Sequence, residues 1–363
     1  MKKIIIIASI IIVALVGGIY FITYHQAEPD VTENATKVGV IMNGSKTDRS
    51  WNQAHYEALE KTAAELNLSI TYEESVLAEN VAEIVDGFVK EECKIIIACS
   101  FEYGEHIVKA AEQYPEIFFF HATGTESRKN MSSYFGRMYQ MRYLTGIAAG
   151  LQTETNEIGY VAAFPISEVN RGINAFTLGV RSVNPNATVY VTWTNSWGSD
   201  SLTAEATESL ISKHNIDVIT MHSDSLETVR IADEYGIASI GYNVDNSEFY
   251  PETFLTAAVW DWEKFYTPNI LKCLQGKFEG RNYWEGSDTG IIDTAPLSEK
   301  AKAGIREAME AEREHLNSGT YDVFYGPIKD NEGNLRIEDR ESLSDNAMLN
   351  EFDWYVEGVV IDE

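Results

Sequence analysis

The chain has 363 residues, 44% hydrophobic and 11% aromatic, which is enough for two domains each with its own core. Acidic residues outnumber basic ones 56 to 28, and no basic run or basic amphipathic helix offsets them. Such a field repels nucleic acid and anionic lipid, so DNA and RNA are set aside as partners.

Lys2 and Lys3 precede an apolar run from Ile4 to Ile22. Nineteen helical residues reach roughly 28 Å, about one hydrocarbon core. The one weak cleavage candidate is Val16-Gly17-Gly18, and no cysteine precedes Cys93, so none is present for lipid attachment. The expectation is an uncleaved signal anchor over residues 1–26, lysines inside and the body on the extracytoplasmic face of the membrane; a cleaved, secreted form is the alternative. Residues 27–36 are polar and read as a tether. Cys93, Cys99 and Cys273 are too few and too scattered for a disulfide framework or a metal site, and read as small core residues.

From Lys37, short β-branched runs alternate with amphipathic stretches. "KVGVIM" (37–42) leads into a helix around 51–67, "SITYEE" (69–74) into one around 80–91, "KIIIACS" (94–100) into one around 105–113, and "IFFFHA" (117–122) follows. Strands apolar on nearly every residue suit a parallel sheet buried on both faces. A helix within 134–154 carries Gly146, Ala149 and Gly150, small enough for close packing. The alternation then resumes with strands at 157–164, 187–193, 217–222 and 238–243, separated by helices, before "FLTAAVWDW" (254–262). The class is α/β, with two doubly wound units in one chain. A charged helix runs through 298–317, and the tail carries a hairpin turn at Asp330-Asn331-Glu332-Gly333.

"GVIMNGSKTDRSWNQAH" (39–55) nearly spells a phosphate-binding loop, but Ser45 displaces Lys46 by one residue from the position that must meet the phosphates. No G-x-S-x-G, H-E-x-x-H or G-x-G-x-x-G occurs, so no catalytic residue, metal ligand or cofactor is expected. What recurs is polar and aromatic residues just after strand ends: Asp48, Ser50, Trp51 and Asn52; Ser100, Phe101 and Glu102; Glu168, Asn170 and Arg171; Trp193, Asn195 and Trp197; His222, Ser223 and Asp224; Asn243 and Asp245; Trp260, Asp261 and Trp262. Ligands of open α/β sheets bind at this edge, and rings with amides and carboxylates suit a flat, polar, uncharged heterocycle. Ser50 reads equally well as a helix cap, and Trp51 also as a core plug.

The chain resembles the basic membrane protein family of ABC-transporter substrate-binding proteins, which includes purine and purine-nucleoside binders. "GSKTDRSWNQAHYEAL", "YFGRMYQMRYLTGIAAG" and "IGYVAAFPISEVNRGINAFTLGVRSVNP" carry the resemblance, and "VTWTNSW", "AVWDW" and the tail "YGPIKDNEGNLR" look like a branch with nucleobase ligands. The resemblance implies a type I periplasmic-binding-protein fold whose hinged lobes close on a purine-type ligand. Such a protein hands its ligand to an ABC importer permease and is expected to be monomeric. The lobes would comprise 37–136 with about 254–285, and 137–253 with about 286–318, leaving 319–363 as an extension. Trp51 falls where the family stacks a ring, followed by Asn52. Gly172 stands where many nucleoside binders have a second stacking phenylalanine, which favours Trp193 or Trp197 and a free base. The expected ligand-binding set is Ser50, Trp51, Asn52, Phe101, Glu102, Glu168, Asn170, Trp193, Trp197, His222, Asp245, Trp260 and Asp261. The missing lipid cysteine leaves room for a membrane-anchored sensor or regulator of the same fold; a purine-processing enzyme is the remote third reading.

Overall fold

The computed structural model describes residues 35–319 and 322–362; the expected anchor and most of the tether lie outside them. The first unit runs β1 (Thr36–Ile41), α1 (Trp51–Leu66), β2 (Leu68–Glu73), α2 (Val81–Lys90), β3 (Ile95–Ala98), α3 (Gly104–Gln113), β4 (Phe118–Ala122) and β5 (Met131–Gly136). The second runs α4 (Tyr139–Gln152), β6 (Glu157–Ala162), α5 (Ser167–Val183), β7 (Thr188–Trp193), α6 (Asp200–Lys213), β8 (Val218–His222), α7 (Glu227–Tyr235), β9 (Ala238–Asn243) and β10 (Phe254–Trp260). Then come α8 (Glu263–Leu274), β11 (Asn282–Glu285), β12 (Ile292–Thr294) and α9 (Ile305–Asn317). The tail holds β13 (Ile328–Lys329), β14 (Leu335–Ile337), α10 (Asp345–Asn350) and β15 (Val359–Ile361).

The first sheet has the order β11-β5-β4-β3-β1-β2 and is parallel throughout. The second has the order β12-β10-β9-β8-β6-β7-β15 and is parallel except for β12, which runs against β10. Helices cover both faces, which is why every residue of β3 is buried. The chain passes between the sheets after β5, after β10 and after β11.

The return to the first lobe, expected from about residue 254, comes later. β10 lies between β9 and β12 in the second sheet, where Phe254, Leu255, Ala257 and Ala258 are buried. Only after Trp260 does the chain cross back, with α8 packing on α1. β5 and β11 give little sequence signal because their register rests on polar groups: Ser132 and Ser133 of β5 are fully buried, and Ser133 donates to Asn282 at 2.8 Å.

α4 and α5 cross at backbone contact. A Cβ on Gly146 would stand 2.1 Å from the Phe176 carbonyl oxygen, and one on Gly179 would stand 2.0 Å from that of Tyr143. The tail is tied to the other side of α5. Asn170, Arg171 and Asn174, all buried or nearly so, donate to the carbonyls of Phe352, Met348 and Trp354. β15 adds to β7 as a parallel edge strand, and β13 and β14 form the expected hairpin around Asp330 to Gly333.

Candidate functional site

Parallel strands end on one side of each sheet, and the two sets of ends face each other across a narrow cavity of about 40 Å³. The first lobe supplies Asn43 after β1, Trp51 at the start of α1, Ser100 and Phe101 after β3, and Thr123 after β4. The second supplies Glu168 at the start of α5, Trp197 after β7, Asp224 after β8, and Tyr242 and Asn243 at the end of β9.

Trp51 is both wall and plug. Its indole is 8% exposed, lines the cavity, and donates from Nε1 to the Cys99 carbonyl at 2.7 Å. Behind it, Trp260 and Trp262 stack at 4.3 Å, and both meet Trp51 edge-on. The start of α1 is capped by Asp48, not Ser50: its carboxylate accepts from the backbone N–H groups of Ser50, Asn52 and Gln53. Ser50 is thereby free to accept from Asn243 across the cleft at 2.9 Å. Asn243 also donates to Asp224 at 3.1 Å and accepts from Trp260 Nε1 at 3.0 Å, so both its amide hydrogens are used. It adopts φ of 72°, a left-handed turn that asparagine tolerates. A second bridge runs from Asn246 to the Arg49 carbonyl at 3.1 Å.

The electrostatics are acidic. Burial, with Asp48 and Glu168 nearby, pushes the Asp224 carboxyl well above the usual range, against hydrogen bonds from Ser50 and Asn243. Burial pushes Glu168 up to about 6, opposed by Arg171. His222 lies behind the wall with Nε2 4.0 Å from Glu168; burial, then Arg142 and Arg171, hold it well below the ordinary imidazole range. The fully buried Arg142 guanidinium sits 3.8 Å over the Tyr242 ring.

Of the residues expected at the site, Trp51, Phe101, Glu168 and Trp197 line the cavity, and Ser50 reaches it through Asn243. The others are placed elsewhere. Asn52 turns to Asp48, and Glu102 lines a separate surface groove. Asn170 is occupied by the tail, donating to Phe352 and accepting from Tyr355. Trp193 points toward Tyr355, with ring centroids 6.4 Å apart. His222 and Trp260 form the layer behind the wall. Asp245 is exposed and accepts from the Ser247 backbone, while Asp261 sits at the crossover beside Ile291. Lys46 turns to Glu74, 3.7 Å away, so the loop presents no lysine to a phosphate.

Asn43, Thr123 and Tyr242 escape sequence reasoning. Ser100, Asp224 and Asn243 stand among the strand-end residues but carry no further mark there. A larger space of about 620 Å³ adjoins the cavity through Phe101, Thr123 and Glu168. Its wall includes Phe135, Arg171, Trp284 and, from the tail, Asn346 and Asn350.

Two α/β lobes joined by crossovers, with a cavity between their strand ends, define a solute-binding protein of the type I fold. The chain belongs to the Bmp family of PnrA-like ABC transporter substrate-binding proteins, whose model matches residues 35–321. It is 35% identical over 313 residues to a putative ABC transporter glucose-binding protein of Haloferax volcanii, covering 86% of this chain and 77% of that one. It is 33% identical over 333 residues to a purine-binding protein of Brucella abortus, covering 90% of this chain and 93% of that one. A solved structure titled as a transcriptional activator of the comK gene from Bacillus halodurans shares the fold. Its TM-score is 0.69 at 22% identity, covering 78% of this chain and 99% of that one.

Proposed function

We propose that the protein captures a purine-type base or nucleoside outside the cell and delivers it to an ABC importer permease, making and breaking no bond. The observation that carries this reading is the cavity itself. Rings from both lobes (Trp51, Phe101, Trp197 and Tyr242) surround amide and carboxylate groups at Asn43, Glu168 and Asp224. The Brucella relative's description as purine-binding supports the same ligand class. The adjoining space leaves room for a sugar beyond the base, so the nucleoside stays beside the free base despite Gly172. In this reading the N-terminal segment tethers a monomer to the membrane.

The comK activator favours a second reading, a membrane-anchored sensor that uses the same cleft for regulation. Loss of purine uptake in a deletion strain supports delivery; unchanged uptake with altered gene expression supports sensing. The ligand class is tested by mass spectrometry of small molecules released when the purified protein is denatured. A non-purine ligand there, together with no thermal shift from any purine base or nucleoside at millimolar concentration, would reject it.

A further inference from the structure

From the polarity of the cavity wall, we infer that the bound base presents an amino-bearing, N–H-rich edge to Asp224 and Glu168. This rests on the purine reading above.

The inference follows from what the wall has left to offer. Several of its fixed N–H donors are already committed inside the protein, while the Trp197 indole and the Asn43 amide N–H make no hydrogen bond among the described residues. Trp51 Nε1 donates to the Cys99 carbonyl, and both Asn243 amide hydrogens go to Ser50 and Asp224. The Thr123 hydroxyl donates to the Ala122 carbonyl. Around Asp224 and Glu168, what remains is acceptor. Asn43 Oδ1 is buried and has no hydrogen-bond partner among the described residues. Glu168 makes no closer polar contact than His222 Nε2 at 4.0 Å. Ionised as ligand binds, Asp224 accepts through two oxygens and about four lone-pair sites, of which Asn243 and Ser50 engage only part. The hydroxyls of Ser100 and Tyr242 serve either way. The groove on the far side of Asp224 extends the same polarity, with Asp48, Asp200 and Glu227 in its wall and Arg49 as the cation among its lining residues.

A buried acceptor facing another acceptor costs far more than a buried group lacking one bond, so such a wall discriminates strongly. An amino group, or an N–H beside one, gives Asn43, Asp224 and Glu168 their missing donors. A carbonyl in its place sets oxygen against oxygen.

The test is isothermal titration of the purified full chain with two pairs, adenine against hypoxanthine and guanosine against inosine. Members of each pair differ in whether the amino group is present. In at least one pair the amino-bearing member is expected to bind tenfold or more tighter. In Asp224→Asn, which puts a donor where the acceptor stood, that ratio should fall below threefold. Glu168→Gln repeats the measurement should the first variant fail to fold. Binding of hypoxanthine and inosine as tight as or tighter than that of adenine and guanosine overturns the inference while leaving the purine reading intact. A preference unchanged in the folded variants also overturns it. Failure of all four compounds to bind sinks the purine reading and this inference together.

Discussion

Asn243 on the second lobe donates to Ser50 Oγ on the first at 2.9 Å, joining the lobes at the floor of the cavity. Because the same amide holds Asp224 and Trp260, Asn243→Ala leaves three buried partners short at once. It also forces alanine into a left-handed turn. The expected loss is on the order of 3 kcal/mol in unfolding free energy, read by urea denaturation. Small-angle scattering should show a more open molecule in the absence of ligand.

Trp51 separates wall from plug by substitution. Trp51→Ala removes a stacking face and should weaken purine binding by about 1–3 kcal/mol. It also empties a buried site, at about 3–5 kcal/mol of stability. Trp51→Phe keeps a ring while losing the Nε1 bond to Cys99. Affinity largely retained in Trp51→Phe but lost in a folded Trp51→Ala supports the wall; equal affinity in both, measured calorimetrically, refutes it.

Ligand binding should release a proton. Asp224 is held toward its neutral form by burial and by Asp48 and Glu168, and an N–H edge favours its ionised form. The binding enthalpy at pH 7 should therefore vary with the ionisation enthalpy of the buffer, and affinity should rise with pH. An enthalpy independent of buffer contradicts this coupling.

Stability should fall in mild acid. Burial pushes His55 down to about 3, His121 to about 4 and His222 well below the ordinary range, so the unfolded chain takes up protons below about 6.5 that the folded one refuses. Their contribution is complete above pH 6.5 and is lost as pH drops toward those values. Glu168, pushed up to about 6, acts in the opposite sense between its unfolded value and 6, and so does Asp224. The net expectation is a loss on the order of 3 kcal/mol between pH 7.5 and 5, followed by urea denaturation. His121→Gln, which still donates toward the Ser100 carbonyl, should flatten the profile.

The tail is held more by Arg171 than by Asp345. The Arg137–Asp345 pair at 2.8 Å is half open to solvent, so Asp345→Ala should cost less than about 1 kcal/mol. Arg171 is buried, donates to the Met348 carbonyl and lies over Trp284 at 4.9 Å. Arg171→Ala should expose 345–356 to limited proteolysis, while Asp345→Ala should leave the digestion pattern unchanged.

The frame was legible because its strands are apolar runs and its helices amphipathic, and because Gly146 and Gly150 announced a close helix contact. β5 and β11 were not, since serine and asparagine pairing sets their register. At the site, Trp51 stood out by type and place. Tyr242 did not, because at the end of a buried strand nothing local separates a cavity ring from a core ring. Asn170 and Trp193 misled for the converse reason. They follow strand ends or sit on them, but the tail, distant in sequence, occupies their surroundings.

β15 has a consequence for the molecule among its own copies. By adding to β7 it leaves a three-residue strand as the outermost row of the second sheet, and β12 at the opposite margin is three residues long as well. Rows so short present few unpaired backbone groups for a neighbouring chain to extend. At high local concentration the protein is thus shielded, at both margins of this sheet, from templating its own aggregation.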